Sequence, residues 1–228
     1  EAFAREDARV MLVSRSAANL GAAVAGFPPT RHAPRTLVAD LVRAEDAARM
    51  AEAVERDMGP IDVLVNSAGA ARRYAPADLD VEAWHAAMDA KYFSYIHPLD
   101  AVLRRMVARG RGKVINIGSL TSELARATVA PYTVAKGGIK MLTQAMAAEW
   151  AVHGVQANAI GPGYMLTDMN QALIDNAAFD AWVKGRTPSR RWGRPDELVG
   201  VAVFLASSAS DYVNGQIIYV DGGMTAVL

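Results

Sequence analysis

Ser119, Tyr132 and Lys136 are the side chains in this sequence whose types and spacing would do chemistry together. A phenol with an ordinary pKa of about 10 is a poor base near neutral pH, but an ammonium held beside it favours the phenolate. Tyr132 and Lys136 stand four residues apart, so on a helix they share one face. Tyr132 would then give or take a proton. Ser119 would donate a hydrogen bond to the same substrate oxygen as charge develops on it. The chemistry so described interconverts a carbonyl and an alcohol. The plainer reading of the spacing is a solvated Tyr/Lys pair near a loop serine.

Those three residues need a strand and a helix to position them. Val114, Ile115 and Ile117 form a short β-branched run ending at Gly118, as a buried strand would, and it delivers Ser119 to a loop. Pro131 suits the first turn of the following helix, where a missing N–H costs little. Ile139, Met141, Leu142, Ala145, Met146 and Trp150 then recur at helical period, and His153-Gly154 supplies a stop.

The rest of the chain alternates in the same way. Val10 to Val13, Arg35 to Ala39, Ile61 to Val65, Val155 to Ile160 and Gln216 to Val220 read as strands. Between them, Ala44 to Met58 reads as a helix stopped by Gly59-Pro60, and Trp84 to Arg109 as a long helix kinked at Pro98. Strict alternation predicts an α/β chain, a Rossmann-like doubly wound parallel sheet in a single domain over residues 1–228. Glu1 to Arg9 reads as the tail of a helix running into the first of these strands.

Further motifs converge with the Ser/Tyr/Lys set. Asn66-Ser67-Ala68-Gly69 follows a strand, Pro162-Gly163 with Thr167 follows another, and Asp221-Gly222-Gly223 lies near the end. In this combination the chain resembles the short-chain dehydrogenase/reductase family. Ser122-Glu123-Leu124, Pro162-Gly163-Tyr164, Arg191-Trp192-Gly193 and Val213-Asn214-Gly215-Gln216 resemble its gluconate 5-dehydrogenase-like members.

The resemblance implies an NAD(P)-dependent oxidoreductase moving hydride between a nicotinamide cofactor and a ketone or secondary alcohol. Gluconate and 5-ketogluconate are the first substrates it suggests. A 3-oxoacyl reductase or a non-catalytic cofactor-binding protein are the alternatives. It implies Tyr132 as general acid/base, Lys136 as its partner and ribose ligand, and Ser119 as the group polarising the substrate oxygen. The cofactor would lie along Ser14, Arg15, Asp40, Leu41, Asn66, Ala68, Gly69, Pro162, Gly163 and Thr167. Where NAD-preferring relatives carry an acid, this chain has Ser14-Arg15, which favours NADP(H) over NAD(H) because a guanidinium suits a 2′-phosphate. Lys91 stands where the family commonly has an asparagine that holds a water chain. The family also implies a cytoplasmic homotetramer. It implies as well a first strand and glycine-rich turn ahead of Glu1, so that a gap in the sheet beside Val10 to Val13 is expected.

For a sugar-acid carboxylate, Arg72, Arg73, Arg126, Arg190 and Arg191 are the candidates. Arg73 and Arg126 are preferred because their loops should reach the carboxyl ends of parallel strands. Asp168 to Arg191 resembles the variable lid that sets substrate choice, with Met169, Leu173, Phe179 and Trp182 read as its local packing.

Composition narrows the alternatives. A formal net charge of +0 gives no field for nucleic acid or an anionic membrane. The chain has no cysteine, so no disulfide or thiolate chemistry is open to it. His32, His85, His97 and His153 show no metal-ligand spacing. The longest apolar run, Leu198 to Ala206, is about half of the roughly 20 residues a bilayer span needs.

Overall fold

The computed structural model describes residues 1–68 and 80–228. In order, the elements are α1 (Ala2–Arg5), β1 (Met11–Ser14), α2 (Ala17–Ala25), β2 (Arg35–Val38), α3 (Ala44–Met58) and β3 (Val63–Asn66). Then come α4 (Val81–Met88), a π-turn (Asp89–Phe93), α5 (Ser94–Arg109), β4 (Gly112–Ile117), α6 (Ala130–Trp150) and β5 (Val155–Pro162). The chain ends with α7 (Gln171–Ile174), α8 (Ala177–Arg186), α9 (Val199–Ala206) and β6 (Ile217–Val220). All strand pairs are parallel.

Alternation along β4 explains how helices come to cover both faces. Val114 packs into a core with Leu99, Val102 and Met106 of α5 and Met146 of α6. The next residue, Ile115, points the other way, to Ile160 and to Leu205 of α9. Both are almost completely buried, so β4 is apolar on successive residues, as a strand sandwiched between helix layers must be. Leu198 to Ala206, the apolar run noted above, is accounted for by α9 filling that second face.

Among the described residues the strands form two groups: β1 pairs with β2, while β3, β4, β5 and β6 are neighbours in that order. Between β1 and β3 lies a cleft of about 770 Å³, lined by Met11, Val13, Met50, Val54, Val63 and Val65 among others. No strand among the described residues pairs with the edges of β1 and β3 that face it. The gap expected beside Val10 to Val13 is therefore present.

The long helix predicted over Trp84 to Arg109 starts earlier, at Val81, where Asp80 caps it by accepting from Ala83 N at 3.2 Å. Instead of a single kink at Pro98, its regular turns are interrupted by the π-turn Asp89–Phe93, with Pro98 retained inside α5. Periodicity reports the apolar face of a helix but not a one-residue insertion into it.

Candidate active site

The carboxyl end of β4 and the first turns of α6 bring the three predicted residues together. Ser119 opens a short 3₁₀ turn, and its Oγ accepts from Thr121 N and Thr121 Oγ1, each at 3.1 Å. That commitment leaves the Ser119 proton free to be donated. Ser122 Oγ donates to Lys136 O at 2.8 Å and accepts from Ser119 N at 3.2 Å, so it ties the serine loop to the helix carrying Tyr132 and Lys136. Pro131 lies in the first turn of α6, as its fixed φ predicts.

Lys136 is buried, with its Nζ donating to Ile117 O and, at 3.1 Å, to Tyr95 Oη. Tyr95 Oη in turn donates to Ile117 O at 3.1 Å. The ammonium lies 4.8 Å from the Tyr95 ring centroid and 6.0 Å from that of Tyr132. Burial, reinforced by the charge of Lys91, pushes the Lys136 amine down to about 7. The expectation that Lys136 lowers the phenol is corrected here. Burial holds Tyr132 above its ordinary value, opposed only by its hydrogen-bonding interaction with Ser119. The physical reason is that an amine stripped of water gives up its proton before the phenol titrates, so it offers the phenolate no cation at that point.

Beneath the site runs a buried polar chain: Asn66 Nδ2 donates to Asn116 Oδ1 at 3.0 Å, Asn116 Nδ2 to Thr143 Oγ1 at 3.0 Å, and Thr143 Oγ1 to Ile139 O at 2.8 Å. It joins β3, β4 and α6. The side chain of Asn66 is thus withdrawn from any ligand, leaving its backbone and the small Ser67 and Ala68, which line the cleft.

The predicted cofactor residues can be tested for fit to a dinucleotide. Arg15 is exposed just beyond β1 and makes no hydrogen bond or ion pair within the described residues, which leaves a guanidinium free for an anion. Ser14 Oγ accepts from Ser16 N at 3.3 Å, beside the start of α2. Asp40 is half-buried, with one oxygen accepting from Val42 N at 3.3 Å. Leu41 packs against the cluster of Ala39, Met50 and Val54 and borders the cleft. Pro162 closes β5, and Gly163 lies so close to Asp221 that a Cβ would sit 2.6 Å from its Cα. Thr167 is half-buried and makes no side-chain cap. These positions fit a dinucleotide laid across the carboxyl ends of the strands. Gly69, Arg72 and Arg73 lie outside the described residues.

Of the remaining carboxylate candidates, Arg191 is consumed by Glu197 in a two-pronged pair at 2.8 and 2.6 Å, and Arg190 donates to Gly185 O at 2.6 Å. Arg126 is half-buried, its guanidinium 5.3 Å from the Phe179 ring centroid. That ring belongs to an aromatic group with Tyr164, Trp182 and Trp192, at centroid separations of 5.3–6.5 Å. Phe179 and Trp182 are therefore packing residues as expected, and Arg126 joins the Ser119 loop to them. Sequence reasoning missed Tyr95 and Asn116 and met Ser122 only within a family-like stretch, because a helix tyrosine, a loop serine and a strand asparagine carry no spacing signal of their own. Among the described residues, no cluster of His, Asp or Glu could hold a metal, and no helix is long and apolar enough to cross a membrane.

Known proteins resemble this chain in sequence and in fold. A family model described as "Enoyl-(Acyl carrier protein) reductase" matches residues 1–225. Gluconate 5-dehydrogenase of Gluconobacter oxydans is 44% identical over 226 residues, covering 99% of this chain and 88% of that protein. 5-Keto-D-gluconate 5-reductase of Escherichia coli K12 is 50% identical over 173 residues, 76% of this chain and 68% of that protein. The crystal structure of a gluconate 5-dehydrogenase from Burkholderia cenocepacia J2315, in complex with NADP and tartrate, superposes with a TM-score of 0.94 at 42% identity, covering 100% of this chain and 89% of that one. Matched in sequence and in fold over nearly its whole length, the chain belongs to the short-chain dehydrogenase/reductase family and is an NAD(P)-dependent oxidoreductase of secondary alcohols and ketones.

Proposed function

We propose that this protein interconverts gluconate and 5-ketogluconate with NADP(H), using Tyr132 as general acid/base. The observation that carries the reading is the convergence of Ser119, Tyr132 and Lys136 at the end of β4 and the head of α6. Relatives named for gluconate and 5-keto-D-gluconate supply the substrate class.

In the oxidation direction the phenolic oxygen of Tyr132 takes the proton of the alcohol that reacts. In reduction it returns that proton to the nascent alkoxide. Ser119, its Oγ already accepting from Thr121, donates its own proton to the substrate oxygen and so stabilises negative charge there. Lys136 exchanges a proton with the phenol and binds the ribose. A bound nicotinamide supplies or accepts the hydride. Arg15 with Ser14 would hold the 2′-phosphate, and Asp40, Leu41, Ala68, Gly69, Pro162, Gly163 and Thr167 the rest of the dinucleotide. Arg126, with Arg73, would face the substrate carboxylate.

A homotetramer forms part of the same reading, supported by Phe93, Val134 and Met141, which stand 41%, 50% and 60% exposed along the π-turn and α6. Light scattering at micromolar concentration should give about four chain masses, and a monomer would contradict it. The substrate reading is tested by assaying gluconate with NADP⁺ and NAD⁺, and 5-ketogluconate with NADPH, against a 3-oxoacyl thioester. Turnover of the thioester alone would replace it with an oxoacyl reductase.

A further inference from the structure

Two buried amines bear on the ring of Tyr132, whereas the motif contains one. Lys91 lies in the π-turn Asp89–Phe93 and is 5% exposed. Its Nζ is 5.2 Å from the Tyr132 ring centroid, and the Nζ of Lys136 is 6.0 Å from the same point. Among the described residues Lys91 has no ion-pair or hydrogen-bond partner; its charge bears on that ring and on Lys136. An unpaired buried ammonium is unfavourable, and a surface-seeking lysine would avoid it. A π-turn is a local departure from regular helix of the kind that occurs at functional sites.

The titratable groups that interact with Lys91 are Tyr132 and Lys136, both from α6; Tyr95 of α5 lies against Lys136, and Asp89 and Tyr92 share the turn of Lys91. No carboxylate among the described residues forms an ion pair with it. We propose that Lys91 is a positioning residue whose buried positive charge, set against the same ring as Lys136, drives the first proton out of the Tyr132–Lys136 pair. This rests on the reading of Tyr132 as the acid/base.

A pair that begins as phenol and ammonium loses one proton to bulk solvent. What remains is either phenol with amine or phenolate with ammonium, two arrangements of the same composition. That once-deprotonated pair is the form able to take a proton from an alcohol. Burial opposes charge on Lys136, and a second cation opposes it further, so both lower the pH at which the pair becomes competent. In keeping with that, Lys136 is pushed down to about 7 by burial and then by Lys91, while burial alone pushes Lys91 to about 8.

The test uses the full chain carrying Lys91→Met, with Lys91→Gln as a second neutral variant. Two quantities are followed against pH: kcat/KM for alcohol oxidation, and the NMR titration of the Lys136 Cε in cofactor-free protein. The neutral variants should move the acid limb of the rate profile and the Lys136 titration upward by about one unit or more. Lys91→Arg, which retains the charge, should leave the limb at or below its original pH. Superimposable profiles and an unmoved Lys136 titration in both neutral variants would overturn the proposal, as would a change confined to KM. Tyr132→Phe separates the two readings. If it remains active, the acid/base assignment fails; if it is inactive while the Lys91 profiles stay put, only the role of Lys91 fails.

Discussion

Free side chains decide what the site can recognise, and at the residue scale Arg15 is the clearest case. It is exposed at the end of β1 with no hydrogen-bond or ion-pair partner among the described residues, whereas Arg191 is held by Glu197. Arg15→Ala should therefore weaken NADPH binding by about 10- to 100-fold, the range of a charge-assisted hydrogen bond, and leave NADH nearly unchanged. Titration calorimetry with both cofactors checks this, and an equal loss for the two would contradict it. Residue types and spacing made Ser119, Tyr132 and Lys136 candidates, because helical period fixes which side chains share a face, and the family resemblance singled them out. They did not reveal that Lys136 would point at Ile117 O and Tyr95. Nor did they show Ser122 as the link between loop and helix. Those contacts join residues far apart in sequence, and no local pattern encodes them.

At the scale of elements, the strands and helices follow from apolar patterning, and the exceptions have identifiable causes. The helix over Ala44–Met58 and the strand after Arg35 were legible because Gly59-Pro60 and β-branched runs mark their limits. The π-turn was not, since inserting one residue leaves composition unchanged. Turns between elements are tightly built where backbones meet. Gly154, at φ +72°, follows the short turn after α6, and a Cβ there would lie 2.1 Å from Gly110 O. Gly154→Ala should lower stability by about 2 kcal/mol or more, combining left-handed strain with overlap against backbone that has no rotamer to change. Urea unfolding measures it, and a loss below about 0.5 kcal/mol would show that the β4 and β5 ends can separate.

For the molecule as a whole, function sets a cost on stability. Lys91 titrates at about 8 in the folded protein against its ordinary 10.5, so the unfolded chain binds more protons between those values. Stability should therefore rise with pH from about 8 to 10.5, the full burial penalty being present below that window. Lys91→Met should accordingly be more stable than the parent at pH 7 by about 1–3 kcal/mol, net of the lost ring contact, and the difference should shrink towards pH 10.5. Urea unfolding at both pH values reads this directly; a constant difference would mean that burial leaves the Lys91 amine at its unfolded-state value. The parallel strands and their helix layers were legible from strand and helix alternation, because alternation constrains connection and layer together, whereas the gap beside β1 was expected from the family resemblance. As proposed, Tyr132 moves the proton in a dehydrogenase reaction on a sugar acid. The most direct test is turnover of Tyr132→Phe with gluconate and 5-ketogluconate, alongside NADPH titration of the same variant. Loss of at least about 100-fold in kcat with cofactor affinity retained is the predicted result, and turnover within a few-fold of the parent would contradict it.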